Sequence, residues 1–110
     1  MLKKFSIQIP LGIEDSFKLV KKSGDEIVSW GAHNISEQDH YLEWKQSFWS
    51  LTGTTLISVT MEAKSTDKTD VTVMIHKPMQ VLDPVGICYR VFRKLEKAVE
   101  RNIEELGRDA

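Results

Sequence analysis

The chain has 110 residues, 41% apolar and 28% charged, enough for one domain with its own core and unlike a disordered chain. Lys and Arg (15) nearly cancel Asp and Glu (16), so a net charge of −1 sets up no global field to draw nucleic acid or an anionic membrane. A single cysteine, Cys88, excludes an intrachain disulfide and fits a reducing compartment.

The chain opens with Phe5, Ile7 and Ile9 alternating against Lys4, Ser6 and Gln8, the period of a half-buried strand. The same stretch, MLKKFSIQIPLG, carries two lysines, but Ser6, Gln8 and Pro10 break up the apolar core that a signal peptide needs. No run approaches the ~18 apolar residues of a membrane span, and a cytoplasmic location is the expectation. After Pro10 and Gly12 the period changes. Ile13, Phe17 and Val20 share one helical face, with Leu19 beside it. Glu14 and Asp15 in the first turn and Lys21 and Lys22 in the last match the helix dipole, and Gly24 reads as a left-handed cap.

Strands follow. One is expected around Ile27 to Ala32, then a polar turn at ISEQD. The next, HYLEWKQSFW, puts Leu42, Trp44 and Phe48 on one face and Tyr41 and Trp49 on the other. TTLISVTMEAK turns at STDKTD and returns as VTVMIHK. This pair reads as a hairpin, with Ile57, Val59, Met61 and Ala63 facing the same way as Val71, Val73 and Ile75. Pro78 ends the sheet. Asp83 and Pro84 carry a helix-start signal, since Asp caps free amides and Pro has no N–H to leave unpaired. Val85, Cys88, Phe92, Leu95, Val99, Ile103 and Leu106 then step by threes and fours up to Gly107, an amphipathic helix about 35 Å long.

The predicted fold is α+β, in a single domain over residues 1–110. A curled antiparallel sheet of about five strands has a short helix after strand one and a long C-terminal helix on its concave face. In this order of elements, and locally in SFWSLTGTTLISVTM and LDPVGICYRVFRKLEKAVERNIEEL, the chain resembles the helix-grip proteins of the START and Bet v 1-like superfamily, in a shortened form. The resemblance covers roughly Lys4 to Leu106, resting on topology and pattern with no catalytic motif. It implies an apolar space between sheet and long helix, where larger relatives hold lipids, sterols or polyketides. With fewer strands and no second short helix, this chain has less room, and empty volume destabilises a core by about 24 cal/mol per Å³.

The chemistry-bearing residues are few. His33 and His40 flank a turn and His76 ends a strand, without the converging ligand set a metal requires. Cys88 falls on the inward stripe of the last helix as a small hydrophobe, and His76 is the only imidazole placed near it. Arg90, Arg93, Lys94, Lys97 and Arg101 form a solvated helix face offset by Glu residues three apart, with no interleaved aromatics to stack bases. No cofactor is implied. The leading expectation is a non-enzymatic module holding a small apolar ligand against Trp30, Trp44, Phe48, Met61, Tyr89 and Phe92. The alternative is a filled core and a protein-interaction or homodimer surface, either an outer face that carries Trp49 or a free sheet edge.

Overall fold

The computed structural model describes residues 1–46, 54–77 and 86–109. In chain order it contains β1 (Leu2–Ile9), α1 (Ile13–Asp25), β2 (Trp30–Ser36), β3 (Tyr41–Gln46), β4 (Thr55–Ser65), β5 (Lys68–His76) and α2 (Ile87–Asp109). The strands form one open antiparallel sheet in the order β1-β5-β4-β3-β2. The expected architecture is therefore present, with β1 and β2 at the two edges.

Alternation fixes which side chains face the helices. Phe5, Val73, Val59, Leu42 and Ile35 form one row across all five strands, and Ile75, Ile57 and Trp44 form the next. Most of these residues are fully buried. α2 covers them with Cys88, Val91, Phe92, Leu95, Ala98 and Val99, also buried, at the spacing of one helical face. Its main approach to the sheet is over β5 and β1, whereas α1 packs on α2 and over β2, β4 and β5. The long helix therefore lies toward one side of the sheet. The short helix and large side chains roof the other.

Four expectations move. The second strand begins at Trp30 and runs to Ser36, because Glu26 caps α1 and Ile27 to Ser29 turn the chain first. Gly24 is no left-handed cap. It lies inside α1, where a Cβ would overlap the six-membered ring of the Trp44 indole. Gly107 does not end the last helix, which continues to Asp109. Arg101 reaches across to Glu26 of α1 at 2.7 Å rather than down its own helix to Glu104. The helix-start signal at Asp83 and Pro84, and Gly53, Phe48 and Trp49, lie outside the described residues.

The two helices are joined by polar contacts as well as packing. Asn102 donates to Ser23 Oγ at 2.8 Å, and Ser23 Oγ in turn donates to the Leu19 carbonyl at 2.7 Å. Lys22 and Glu105 pair at 3.8 Å in solvent, where such a bridge adds little.

The two glycines inside helices should respond oppositely to alanine. Gly24→Ala is expected to destabilise the protein by about 1–3 kcal/mol, because the indole beside it must move. Gly107→Ala meets open space and should stabilise by up to about 0.5–1 kcal/mol through helix propensity. Urea unfolding midpoints of the two variants check both signs.

Candidate functional site

Two aromatic groups occupy opposite sides of the inner sheet face. Over β2 and β3, Trp30 and Trp44 meet at 5.6 Å between ring centroids with planes tilted by 41°. Both are buried, yet each indole N–H has a partner: Trp44 Nε1 donates to Asp25 Oδ1 at 3.0 Å, and Trp30 Nε1 donates to Gln46 Oε1. Over β1, Phe92 stacks on Phe5 at 4.6 Å with planes 10° apart, and Tyr89 flanks both rings at 6.1 and 6.3 Å. Tyr89 is 54% exposed and forms a rim rather than a wall. Met61 sits half-buried toward the β4–β5 turn, in a row with Val71 and Ile7. Five of the six expected lining residues are described, Phe48 being the sixth, and these five fall into two pairs and an outlier. Sequence alone places Trp44 and Phe92 inward, but not which strand each one covers.

A polar row crosses the inner face at the end of the sheet where β3 and β5 finish. Trp30 pairs with Gln46 and Gln46 with Thr55 in the strand register. Lys77, one residue beyond β5, places its Nζ 2.9 Å from Thr55 Oγ1. Gln46 and Thr55 are fully buried and Lys77 is 1% exposed. Lys77 is held in place by Met1, whose backbone exchanges two 2.9 Å hydrogen bonds with its own. Among the described residues no carboxylate pairs with the Lys77 ammonium, and Gln46 Nε2 is buried without a partner. An unmet amide donor costs about 1–3 kcal/mol, and a buried, unpaired charge costs several. Extending the strand alternation past Trp44 to Gln46, back from Ile57 to Thr55, and on from Ile75 to Lys77 would have marked this row in the sequence.

The outer face carries a second, wetter cluster. Tyr41 Oη donates to Glu43 Oε1 at 2.8 Å and lies 3.4 Å from Ser58 Oγ. His33, the extra residue in the β2 bulge, places Nε2 3.5 Å from Glu43. The Ser58 hydrogen bond favours the Tyr41 phenolate, but burial and the neighbouring Glu43 oppose it and push the hydroxyl pKa up on balance. A raised pKa keeps the phenol protonated, which makes it a poor general base. His40 clasps Glu14 of α1 at 2.8 Å and edges onto Phe17. Cys88 is buried under α2, while His76 lies on the opposite face of the sheet by strand alternation. Among the described residues no three Cys, His, Asp or Glu side chains group as a metal site, and no helix is long and apolar enough to cross a membrane. A groove of about 500 Å³ opens between α1 and the end of α2, bordered by Leu11, Leu19 and the half-exposed Leu106.

No protein-family model matches this sequence, and no curated protein resembles it. Solved structures do share its fold. A di-domain ARO/CYC protein, BexL, of the BE-7585A biosynthetic pathway aligns with a TM-score of 0.68 at 11% identity, covering 94% of this chain. The chain spans only 46% of that di-domain protein. Ara h 8.0201 aligns at 0.63 and 16% identity, over 96% of this chain and 99% of its own. A Bacillus thuringiensis protein of uncharacterised role aligns at 0.68 and 10% identity, over 92% and 97%. These likenesses establish the expected helix-grip fold, an open antiparallel sheet with a short helix after β1 and a long C-terminal helix.

Asp25 ties the Trp44 indole to solution pH. Burial favours its protonated form, but the Trp44 N–H and the Lys21 ammonium, 2.9 Å away, outweigh burial and lower its pKa. A lowered folded value means that the carboxylate stabilises the fold above about pH 3.9, the unfolded value, and that this is lost as pH falls through the folded value. Asp25→Asn should therefore be less stable than wild type at neutral pH, by at most about 1 kcal/mol for a pair this exposed. The gap should close below about pH 4, as read from tryptophan emission during urea unfolding at each pH.

Proposed function

We propose that this protein is a non-enzymatic binding module that takes a small, largely apolar ligand between its sheet and its helices. One observation carries the reading: α2 lies over β5 and β1, so the inner face at β2 and β3 is roofed by the Trp30 and Trp44 side chains and the end of α1. Trp44 is pinned by Gly24 and Asp25, whereas Trp30 is held by one side-chain hydrogen bond at an edge strand. A side chain changes rotamer far more readily than backbone moves, so Trp30 is where the fold can open to a ligand at least expense. The centre of the sheet offers no such place, since Ile57, Val59, Val71, Val73 and Leu95 pack without exposure.

A second reading has its own observation. At the edge strand β1, Tyr89 (54% exposed) lies against the half-buried Phe5 on the inner face, while Leu2 (57%) projects from the outer face. Strand addition by a second copy would cover this edge. The other edge, β2, is interrupted by its bulge and is less suited to pairing.

Titration with 1-decanol should shift tryptophan emission saturably, with one molecule bound per chain by native mass spectrometry. No saturable response and no adduct would remove the ligand-binding reading. Sedimentation velocity across micromolar concentrations checks the second: dimer that Tyr89→Lys dissolves supports it, and monomer throughout ends it.

A further inference from the structure

We propose that Lys77, Thr55 and Gln46 form the head-group site for a carboxylate on that apolar ligand. The inference rests on the ligand-binding reading above and adds the chemical class. The Trp30 indole has only a donor to offer, so the Gln46 oxygen must face it and the Gln46 amino group must point away. That amino group is buried without a partner. On the far side of Thr55, Lys77 spends one hydrogen on the Thr55 hydroxyl, which keeps its own hydrogen to donate. One row therefore presents an ammonium, a hydroxyl and a primary amide, all as donors, with no acidic side chain among the described residues paired to them. The carboxylate of Asp25 is engaged elsewhere, by Trp44 and Lys21.

The ligand chemistry follows from what this row lacks. A carboxylate brings two acceptor oxygens and a single negative charge against a single lysine. An alcohol or ketone brings no charge to the ammonium, a quaternary ammonium adds a second positive charge, and a phosphate brings more negative charge than one lysine balances. The flanking residues Trp30, Trp44, Ile57 and Ile75 are apolar, so the body attached to the carboxylate is apolar as well.

Decanoate, 1-decanol and decyltrimethylammonium share a ten-carbon chain and differ in the head. Binding to each is read from tryptophan emission, for which Trp30 is placed beside the site. Wild type should bind decanoate at least about tenfold more tightly than 1-decanol, as a charge-assisted contact allows, and decyltrimethylammonium most weakly. Lys77→Met should erase the preference, bringing decanoate affinity down to that of 1-decanol in the same variant. Gln46→Glu preserves the acceptor for Trp30 and supplies the row with its own carboxylate. It should therefore lose decanoate selectively, and it serves as the decisive variant if circular dichroism shows Lys77→Met unfolded. Equal binding of decanoate and 1-decanol by wild type, or a preference that survives either folded variant, overturns the head-group site but leaves the apolar cleft standing. Failure to bind any of the three overturns both.

Discussion

The contact between the Trp44 indole and the backbone of Gly24 sets how the two layers of this protein meet. A strand residue with the largest side chain available touches a helix residue with none, so α1 can settle close to β3. From there the N–H of the same indole reaches Asp25 in the last turn of α1, which fixes the helix in rotation as well as in distance. The position of α1 then dictates that of α2, which packs along it through Asn102, Ser23 and the Arg101–Glu26 pair. With both helices so placed, α2 lies over β1 and β5, and the β2–β3 side is left to the end of α1 and to large side chains.

That asymmetry sorts the inner face into two environments. Beneath α2 the rows of Val, Ile and Leu close on Leu95 and Val99, and burial there supplies stability in proportion to area. At the β3 and β5 ends the same face turns polar within one residue step, from Trp44, Ile57 and Ile75 to Gln46, Thr55 and Lys77. A core selected for stability alone would continue the apolar rows, since well-packed hydrophobic residues usually match or exceed a buried polar set. Among the described residues Ser16, Ser23, Thr69 and Asn102 are also buried, but this row alone combines a lysine with an unmet amide donor. Such local departures are where function is expected to reside.

Much of the fold is legible in the sequence because its periods are clean. The Val71, Val73, Ile75 alternation and the Cys88 to Ile103 stripe admit one reading each, and their pairing across a sheet follows from length. The boundaries of β2 are not legible, since Gly31 to Asn34 is exposed on an edge strand and carries no alternation to read. Gly24 misleads because a glycine near a helix end fits a cap as well as it fits a close approach, and only the position of Trp44 decides between them. The candidate site was half legible. Trp44 and Phe92 point inward on pattern alone. Their separation into two groups depends on where α2 crosses the sheet, a fact about packing that no local period contains. Lys77 and Gln46 escaped notice because charged and amide residues at strand ends ordinarily face solvent.

For a domain this small, size bears directly on how any ligand is held. A permanent cavity for a drug-sized molecule occupies several hundred Å³, and keeping it empty would consume most of the stability that a chain of this length has. A space that side chains fill in the free protein avoids this. The Trp30 and Trp44 rings occupy the region at rest, with both N–H groups satisfied, so the unliganded state is well packed where it is apolar. Among the described residues the buried polar atoms without a partner are Gln46 Nε2 in the polar row and Asn102 Oδ1 between the helices, and under the proposed reading a ligand's contribution is concentrated at the row. Apolar burial would then roughly exchange one set of contacts for another, while discrimination among ligands falls to the head group. A pocket of this kind binds weakly by shape and selects by charge.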